Sequence, residues 1–340
     1  MTSALDIEDS AALRRWLADT GRVAQGRAFT IRNLAGGVSN RTVLVEFEDG
    51  SGWVLKQALA KLRVAVDWFS DPVRIEREAL GMQWLARLAP PDTITPLLFQ
   101  DSALHLLAMQ AVPKPHENLK EMFLAGNADM GLAVQFGELL GLIHRRSWEQ
   151  RDEVGRLFDD RSFFESLRIE PYYQYTAQQI PASAAFIGAL IEETRARRLT
   201  LVHGDYSPKN VLVYKGRLVL LDHEVIHFGD PAFDLGFSLA HLLSKANHLV
   251  KQRGEFAELT RTYWSSYVTA LGETPWSGAI EAAAARQTLG CLLARVRGRS
   301  TLEYLTAAAR ERQCKAVLEL MKAAPRTVAE LIDVFVARLT

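Results

Sequence analysis

The stretch Val202–Val213, VHGDYSPKNVLV, sets two apolar ends around a polar loop. That loop holds a carboxylate, Asp205, and five positions later a carboxamide, Asn210. Close behind it, Arg217–Glu224, RLVLLDHE, repeats the theme: an apolar run ends in Asp222 and Glu224. The tetrapeptide YKGR joins the two runs as a turn, so both read as short strands of a hairpin. Singly, Asp205 and Asn210 are ordinary turn formers and Asp222 an ordinary helix cap. Together they aim three carboxylates and an amide out of the ends of two strands. A loop carboxylate can accept the proton of an attacking hydroxyl. An amide oxygen and a second carboxylate can hold a hard cation. On an extended chain Asp222 and Glu224 point the same way, which makes both candidate ligands facing Asn210.

Composition bounds the rest. A chain of 340 residues is long enough for two lobes with a sizeable core. Lys+Arg and Asp+Glu both number 40, so net charge argues against nucleic acid or an acidic membrane as the main partner. Two isolated cysteines, Cys291 and Cys314, fit neither a disulfide framework nor a zinc ribbon and point to a reducing compartment. The start, MTSALDIEDSAALRRWL, is acidic where a signal peptide is basic. No apolar run reaches the ~18 residues of a membrane span. The expectation is a cytoplasmic protein.

Hydrophobic periodicity divides the chain. Asp9-Ser10 caps an amphipathic helix through about Asp19. AFTIRNL, RTVLVEF, WVLKQA, TPLLFQ and LHLLAMQ read as strands, with a helix from Pro72 to Leu88 between the third and fourth. The first 110 residues are therefore a mostly antiparallel sheet with one helix. A Pro-rich connector, AVPKPHEN, follows, and 111–116 is the expected hinge. Beyond it, 117–340 reads as mainly helical, with helices at 129–147, 181–198, 231–246, 253–271, 277–297, 301–323 and 326–338.

The first part carries its own chemistry. Ala35-Gly36-Gly37-Val38-Ser39-Asn40 is a glycine turn between strands; Gly36 and Gly37 let backbone N–H groups approach an anion, and Ser39 and Asn40 can add donors. Most such turns are plain hairpins, and this one is not a full phosphate-binding fingerprint. Lys56 shares a strand face with Val54, and Glu76 and Glu78 of RIEREALGMQWL can pair with it and hold it towards phosphates. Taken alone, these are also ordinary surface charges. His223–His227, HEVIH, matches a zinc-protease motif, which needs a helix to bring both histidines to one metal. After an apolar strand and before Phe-Gly-Asp-Pro, the two histidines lie roughly 13 Å apart at about 3.3 Å per residue. The match reads as chance, with a zinc hydrolase as the enzyme alternative.

HGDYSPKN, LVLLDHE and GDPAFDLG, in this order and spacing, resemble the catalytic and metal segments of the aminoglycoside phosphotransferase and choline kinase family. The resemblance covers most of the chain. It implies an α+β, two-lobed protein-kinase-like fold and transfer of the ATP γ-phosphoryl, with Mg2+, to a hydroxyl of a small molecule. It makes Asp205 the catalytic base, Asn210 and Asp222 metal ligands, and Lys56 the contact to the α/β-phosphates with Glu78 its helix partner. LAMQAV is similar to the hinge, where the backbone of Gln110 and Val112 meets the purine, and Asp234 to the aspartate that braces the catalytic loop. A narrower resemblance is to methylthioribose kinases, through VLKQALAKLRV, RIEREAL and the D-x-E of Asp222 and Glu224. The chain departs from them in reading HGDYSPKN where they usually read H-G-D-L-H-T-G-S, and CLLARVRGRS where they carry paired arginines. A non-catalytic nucleotide-binding regulator is the other alternative; it has no need of Lys56, Asp205, Asn210 and Asp222 together.

The acceptor is read from what lies around these motifs. Between Asp222 and GDPAFDLG there is no room for the segment with which protein kinases dock a polypeptide, so a sugar-like or amino-alcohol metabolite is expected. From Arg151 to Thr340 there are 24 Lys/Arg against 22 Asp/Glu, too basic for a polycationic acceptor. Arg295, nearest the apolar core among Arg295, Arg297 and Arg299, is the candidate acceptor residue; the three also fit a solvated helix end.

Overall fold

The computed structural model describes residues 5–34, 37–64 and 67–339. Its first part is a five-stranded antiparallel sheet: β1 (Phe29–Asn33), β2 (Asn40–Phe47), β3 (Gly52–Ala58), β4 (Leu97–Asp101) and β5 (Leu106–Gln110), in the order β1-β2-β3-β5-β4. Strand alternation divides its faces. Val43, Val45, Phe47, Leu55, Leu106 and Ala108 form one core with Leu13 and Leu17 of helix α1 (Ser10–Asp19), which Asp9 caps through the N–H groups of Ala11 and Ala12. Val54, Lys56 and Met109 point the other way, into a cleft.

Helix α2 (Arg74–Leu88) buries Ile75, Ala79, Met82 and Leu85 in the larger core, which continues through the rest of the chain. Gly81 sets how closely α2 approaches the turn after Asp222. A Cβ there would lie 2.9 Å from Ile226 Cγ2 and 3.2 Å from His223 Cβ. Residues 111–116 link β5 to β6 (Glu117–Asn118). We propose this link as the hinge between an N-lobe, 1–110, and a C-lobe, 117–340.

The second part is mainly helical. Helices Arg253–Leu271 and Ser277–Arg297 have the bounds read from the sequence. The helix expected from 301 begins instead at Ala307, where the Thr306 side chain accepts from Ala309 N–H. Three further short strands accompany the hairpin of β8 (Val211–Tyr214) and β9 (Arg217–Leu220): β6 extends that hairpin, and β7 (Thr200–Val202) pairs antiparallel with β10 (His227–Gly229). A π-helical stretch, Glu165–Gln174, has Pro171 inside it and no counterpart in the sequence reading. A proline lacks the N–H an α-helix needs, and the wider turn tolerates it. No helix among the described residues is long and apolar enough to cross a membrane.

Candidate active site

Lys56 stands on β3 at the cleft wall. Its Nζ donates to Glu78 Oε1 at 2.6 Å and to Asp222 Oδ1 at 2.8 Å. Glu78, on α2, is fully buried. Burial opposes the Lys56 charge, but Asp222 and Glu78 more than reverse this and hold the ammonium well above its ordinary value. Burial likewise opposes the charge of Asp222, and Lys56 outweighs it, keeping Asp222 ionised. The sheet, the helix and the β9 end are thus tied by one ammonium.

Strand β7 delivers the loop His203–Asn210. Gly204 turns it at φ +76°, and a Cβ there would meet Val225 Cγ2 at 2.8 Å. Asp234, fully buried, accepts from His203 N–H (2.7 Å) and Gly204 N–H (2.8 Å), so the bracing role expected of it is visible in its bonds. Asn210 Nδ2 donates to Asp205 Oδ2 at 2.7 Å and to Asp205 O at 3.0 Å. The amide nitrogen is thereby committed, and the amide oxygen is the atom that can face a cation. Asp205 N–H donates to His203 Nδ1, so His203 Nε2 carries the proton and donates to Leu221 O and His223 Nδ1. Burial holds both imidazoles below their ordinary range.

Two arginines complete this site and were not foreseen. Arg168, from the π-helical stretch, places Nη2 at 3.1 Å from Asp205 Oδ2 and donates from Nε to Gly204 O at 2.7 Å. It orients the carboxylate from the side opposite in sequence to Asn210. Arg74, fully buried on α2, donates from Nε to Glu224 Oε2 at 3.1 Å and from Nη2 to Ser39 O and Leu59 O. Arg168 belongs to no quoted motif, and Arg74 opens RIEREAL without any local sign that it reaches Glu224.

Residues 221–226 are not extended. Asp222 has φ +67° and a turn follows at Glu224-Val225, so the shared direction of Asp222 and Glu224 does not come from strand alternation. It comes from anchors: Lys56 on Asp222, Arg74 and Asn40 Nδ2 (3.2 Å) on Glu224. Carboxylate oxygens of Glu78, Asp222 and Glu224 lie within 4.8 Å of one another. No other group of His, Cys, Asp and Glu among the described residues is arranged to hold a metal. The HEVIH histidines diverge: His223 faces His203, while His227 opens β10, donates to Val225 O and stacks on Phe164 at 4.0 Å.

The cleft has a volume of ≈ 910 Å³. Gly37, Ser39, Asn40, Lys56, Gln110, Val112, Asn210 and Asp222 all line it; Gly36 lies outside the described residues. Asp205, Glu78, Glu224 and Arg295 do not line it; Arg295 is buried in helix Ser277–Arg297, where Nη1 donates to Tyr172 Oη (2.9 Å) and Ser300 Oγ (3.1 Å). Arg297 pairs with Glu311, and Arg299 lies over the Tyr175 ring.

The sequence model of the phosphotransferase enzyme family matches residues 30–267, which span most of the sheet, the cleft and the loop His203–Asn210. The chain belongs to this family. Methylthioribose kinase 2 of Oryza sativa subsp. japonica is 24% identical over 267 residues, covering 69% of this chain and 62% of the relative. The chain spans about three fifths of the length of the curated relatives it matches. Among solved structures, a choline kinase from Cryptosporidium parvum Iowa II superposes with a TM-score of 0.60 at 13% identity, covering 98% of both chains. An amicoumacin kinase in complex with AMP-PNP, Ca2+ and Ami gives a TM-score of 0.58 at 15% identity, over 95% of this chain and 96% of the other. At these identities the likeness is one of fold, and the fold is that of two-lobed kinases.

Proposed function

We propose that this member of the family transfers the γ-phosphoryl of ATP to a hydroxyl of a small sugar-like or amino-alcohol metabolite, with Mg2+. One observation carries the reading: Asn210, which holds Asp205 through Oδ2, lines the same cleft as the Lys56–Asp222 pair, and Gly37, Ser39 and Asn40 border that cleft. The phosphotransferase family and the AMP-PNP complex of the amicoumacin kinase support it. In this reading Lys56 turns from its carboxylates to the α/β-phosphates. Gly37, Ser39 and Asn40 of the glycine turn cover the phosphates with N–H groups. Gln110 N–H is donated to Pro96 O and Ala111 N–H to Gly52 O, so Val112 is the donor this segment offers a purine, beside the Gln110 carbonyl.

The donor set suits a hard cation. Asn210, Asp222 and Glu224 offer oxygens, and Glu78 Oε2 and Asn40 Oδ1 are buried without a hydrogen-bond partner among the described residues. Bound there, Mg2+ would neutralise charge on the transferred phosphoryl group. Asp205 accepts the proton of the acceptor hydroxyl while Arg168 and Asn210 hold its carboxylate in place. Arg295 is assigned to the acceptor. The two cysteines are free and buried, in keeping with a reducing, cytoplasmic setting.

Asp205→Ala tests the reading. ATP binding should survive and turnover should fall by about 10²–10⁴-fold, the usual contribution of a general base. A variant that kept more than about a tenth of the wild-type rate would exclude Asp205 from that role.

A further inference from the structure

Below the catalytic loop lies a group of cations that phosphoryl transfer itself does not use. His241, Ser244 and Lys245 share one face of helix Pro231–His248 through their i, i+3, i+4 spacing. Lys245 is fully buried; its Nζ donates to His241 O at 3.3 Å and lies 5.6 Å from the Tyr304 ring centroid. Arg295, only 7% exposed, lies 5.5 Å from the Tyr172 ring and 5.9 Å from that of Phe237. The same two rings lie 5.6 and 5.9 Å from the guanidinium of Arg168, which holds Asp205. Phe237 in turn contacts the His241 ring at 5.0 Å. A continuous path of contacts therefore runs from the catalytic carboxylate to Lys245.

The charges along it are unbalanced. Burial, then the charges of Arg295, Lys245, Lys209 and Lys120, hold the His241 imidazole well below its usual range. Lys120 and Lys209 line the cleft, so the cationic field is continuous with the nucleotide site. Among the described residues no carboxylate lies within ion-pair distance of Lys209, Lys245 or Arg295. The carboxylates whose charge reaches Lys245, Glu303 and Glu121, are both engaged by Lys120. Four buried polar atoms here have no hydrogen-bond partner among the described residues: His241 Nε2, Ser244 Oγ, Arg295 Nε and Tyr304 Oη. His241, Ser244 and Arg295 are each more than nine-tenths buried.

Unpaired buried cations and donors are costly to keep. Burial, with Lys120 and Arg295 adding to it, pushes the Lys245 amine down to about 7. A single bound anion would return the missing charge and accept from several of these donors at once.

We propose that the acceptor carries, besides the hydroxyl that is phosphorylated, an anionic carboxylate or phosphate group seated on Lys245 and Arg295 with the His241, Ser244 and Tyr304 donors around it. This rests on the phosphotransferase reading above and narrows its acceptor to sugar acids, sugar phosphates and similarly charged hydroxy compounds. Lys120 and Lys209 add their charge from the cleft, and the same field opposes a cationic amino alcohol.

The test is binding of D-ribose, D-ribonate, D-ribose 5-phosphate and choline to the full chain, read by calorimetry. At least one of the two anions should bind about tenfold or more tightly than both D-ribose and choline, the worth of one charge-assisted contact. Lys245→Met should remove that margin and Lys245→Arg should keep it, with AMP-PNP·Mg2+ binding unchanged in both. Should Lys245→Met lose the fold, Lys209→Ala, at an exposed position, serves instead and should lower the anion's affinity at least about threefold. Equal binding of all four probes, preference for choline or D-ribose, no binding of either anion, or an unchanged margin in the folded variant overturns the proposal. AMP-PNP·Mg2+ binding to the same wild-type preparation separates the two readings: its absence removes the kinase reading, while the anion preference is decided by the other probes.

Discussion

Lys56→Met offers a sharp test of how the site is held. The ammonium lies 2.6 Å from Glu78 and 2.8 Å from Asp222, and Glu78 is fully buried. At an effective dielectric constant of about 20, each contact is worth roughly 6 kcal/mol of gross attraction. Desolvation of the buried groups cancels much of it, so the net value appears chiefly when one partner is removed. Lys56→Met leaves the Glu78 carboxylate buried without a counter-charge, and such a break costs about 3–5 kcal/mol. Lys56→Met combined with Glu78→Gln removes the stranded charge and should recover about 2–3 kcal/mol of that loss. Neither variant should bind ATP normally, because both lack the ammonium. Stability is read from urea denaturation followed by circular dichroism, and ATP binding from calorimetry. A cost below about 1 kcal/mol for Lys56→Met, or a double variant no more stable than the single, would refute the picture of one ammonium compensating a buried carboxylate.

Three further outcomes are expected. Asp222→Ala should abolish the Mg2+-dependent part of ATP binding, measured by calorimetry with and without the metal; retained Mg2+-dependent affinity would exclude Asp222 as a ligand. Gly204→Ala should destabilise by about 2–4 kcal/mol, from a left-handed backbone and the 2.8 Å approach to Val225 Cγ2, visible as a lowered melting temperature together with lost turnover. Burial holds His227 down to about 4, against about 6.5 in an unfolded chain, so the native state binds fewer protons between these values. The stability this contributes is complete above about pH 6.5 and is lost as pH falls through 4, about 3 kcal/mol in all. His227→Phe should flatten that part of the profile, and urea midpoints at pH 7 and pH 4 that fall equally in both proteins would contradict it.

Much of this fold is legible locally. Strand alternation in RTVLVEF and WVLKQA marks the two faces of the sheet, and Lys56 does share the cleft face with Val54. The C-terminal ends of helices Arg253–Leu271 and Ser277–Arg297 fall at the glycines that follow them, Gly272 and Gly298. The segment after Asp222 is not legible in this way. Its direction depends on Lys56, Arg74 and Asn40, which lie between 150 and 184 residues away from the carboxylates they hold, and strand alternation is the wrong rule for a residue at φ +67°. Arg168 is hidden for a related reason. It lies in a π-helical turn around Pro171, where the 3.6-residue period that reveals helices does not apply.

The sequence by itself determined which chemical groups are present and which loops carry them, because HGDYSPKN and LVLLDHE are contiguous and their spacing is covalent. Pairing was decided only in three dimensions. Glu76 and Glu78 are equal candidates for Lys56 on paper, yet two residues along a helix turn the side chain through about 200°. Only one of them can face the sheet, and packing of α2 through Gly81 against the Ile226 turn makes it Glu78, buried, while Glu76 stays part-exposed. The same holds for Lys245 and Arg295. Their helices pack side by side in the C-terminal part, and no local pattern could show that these two buried side chains would lie with no carboxylate of the described residues within ion-pair distance of either.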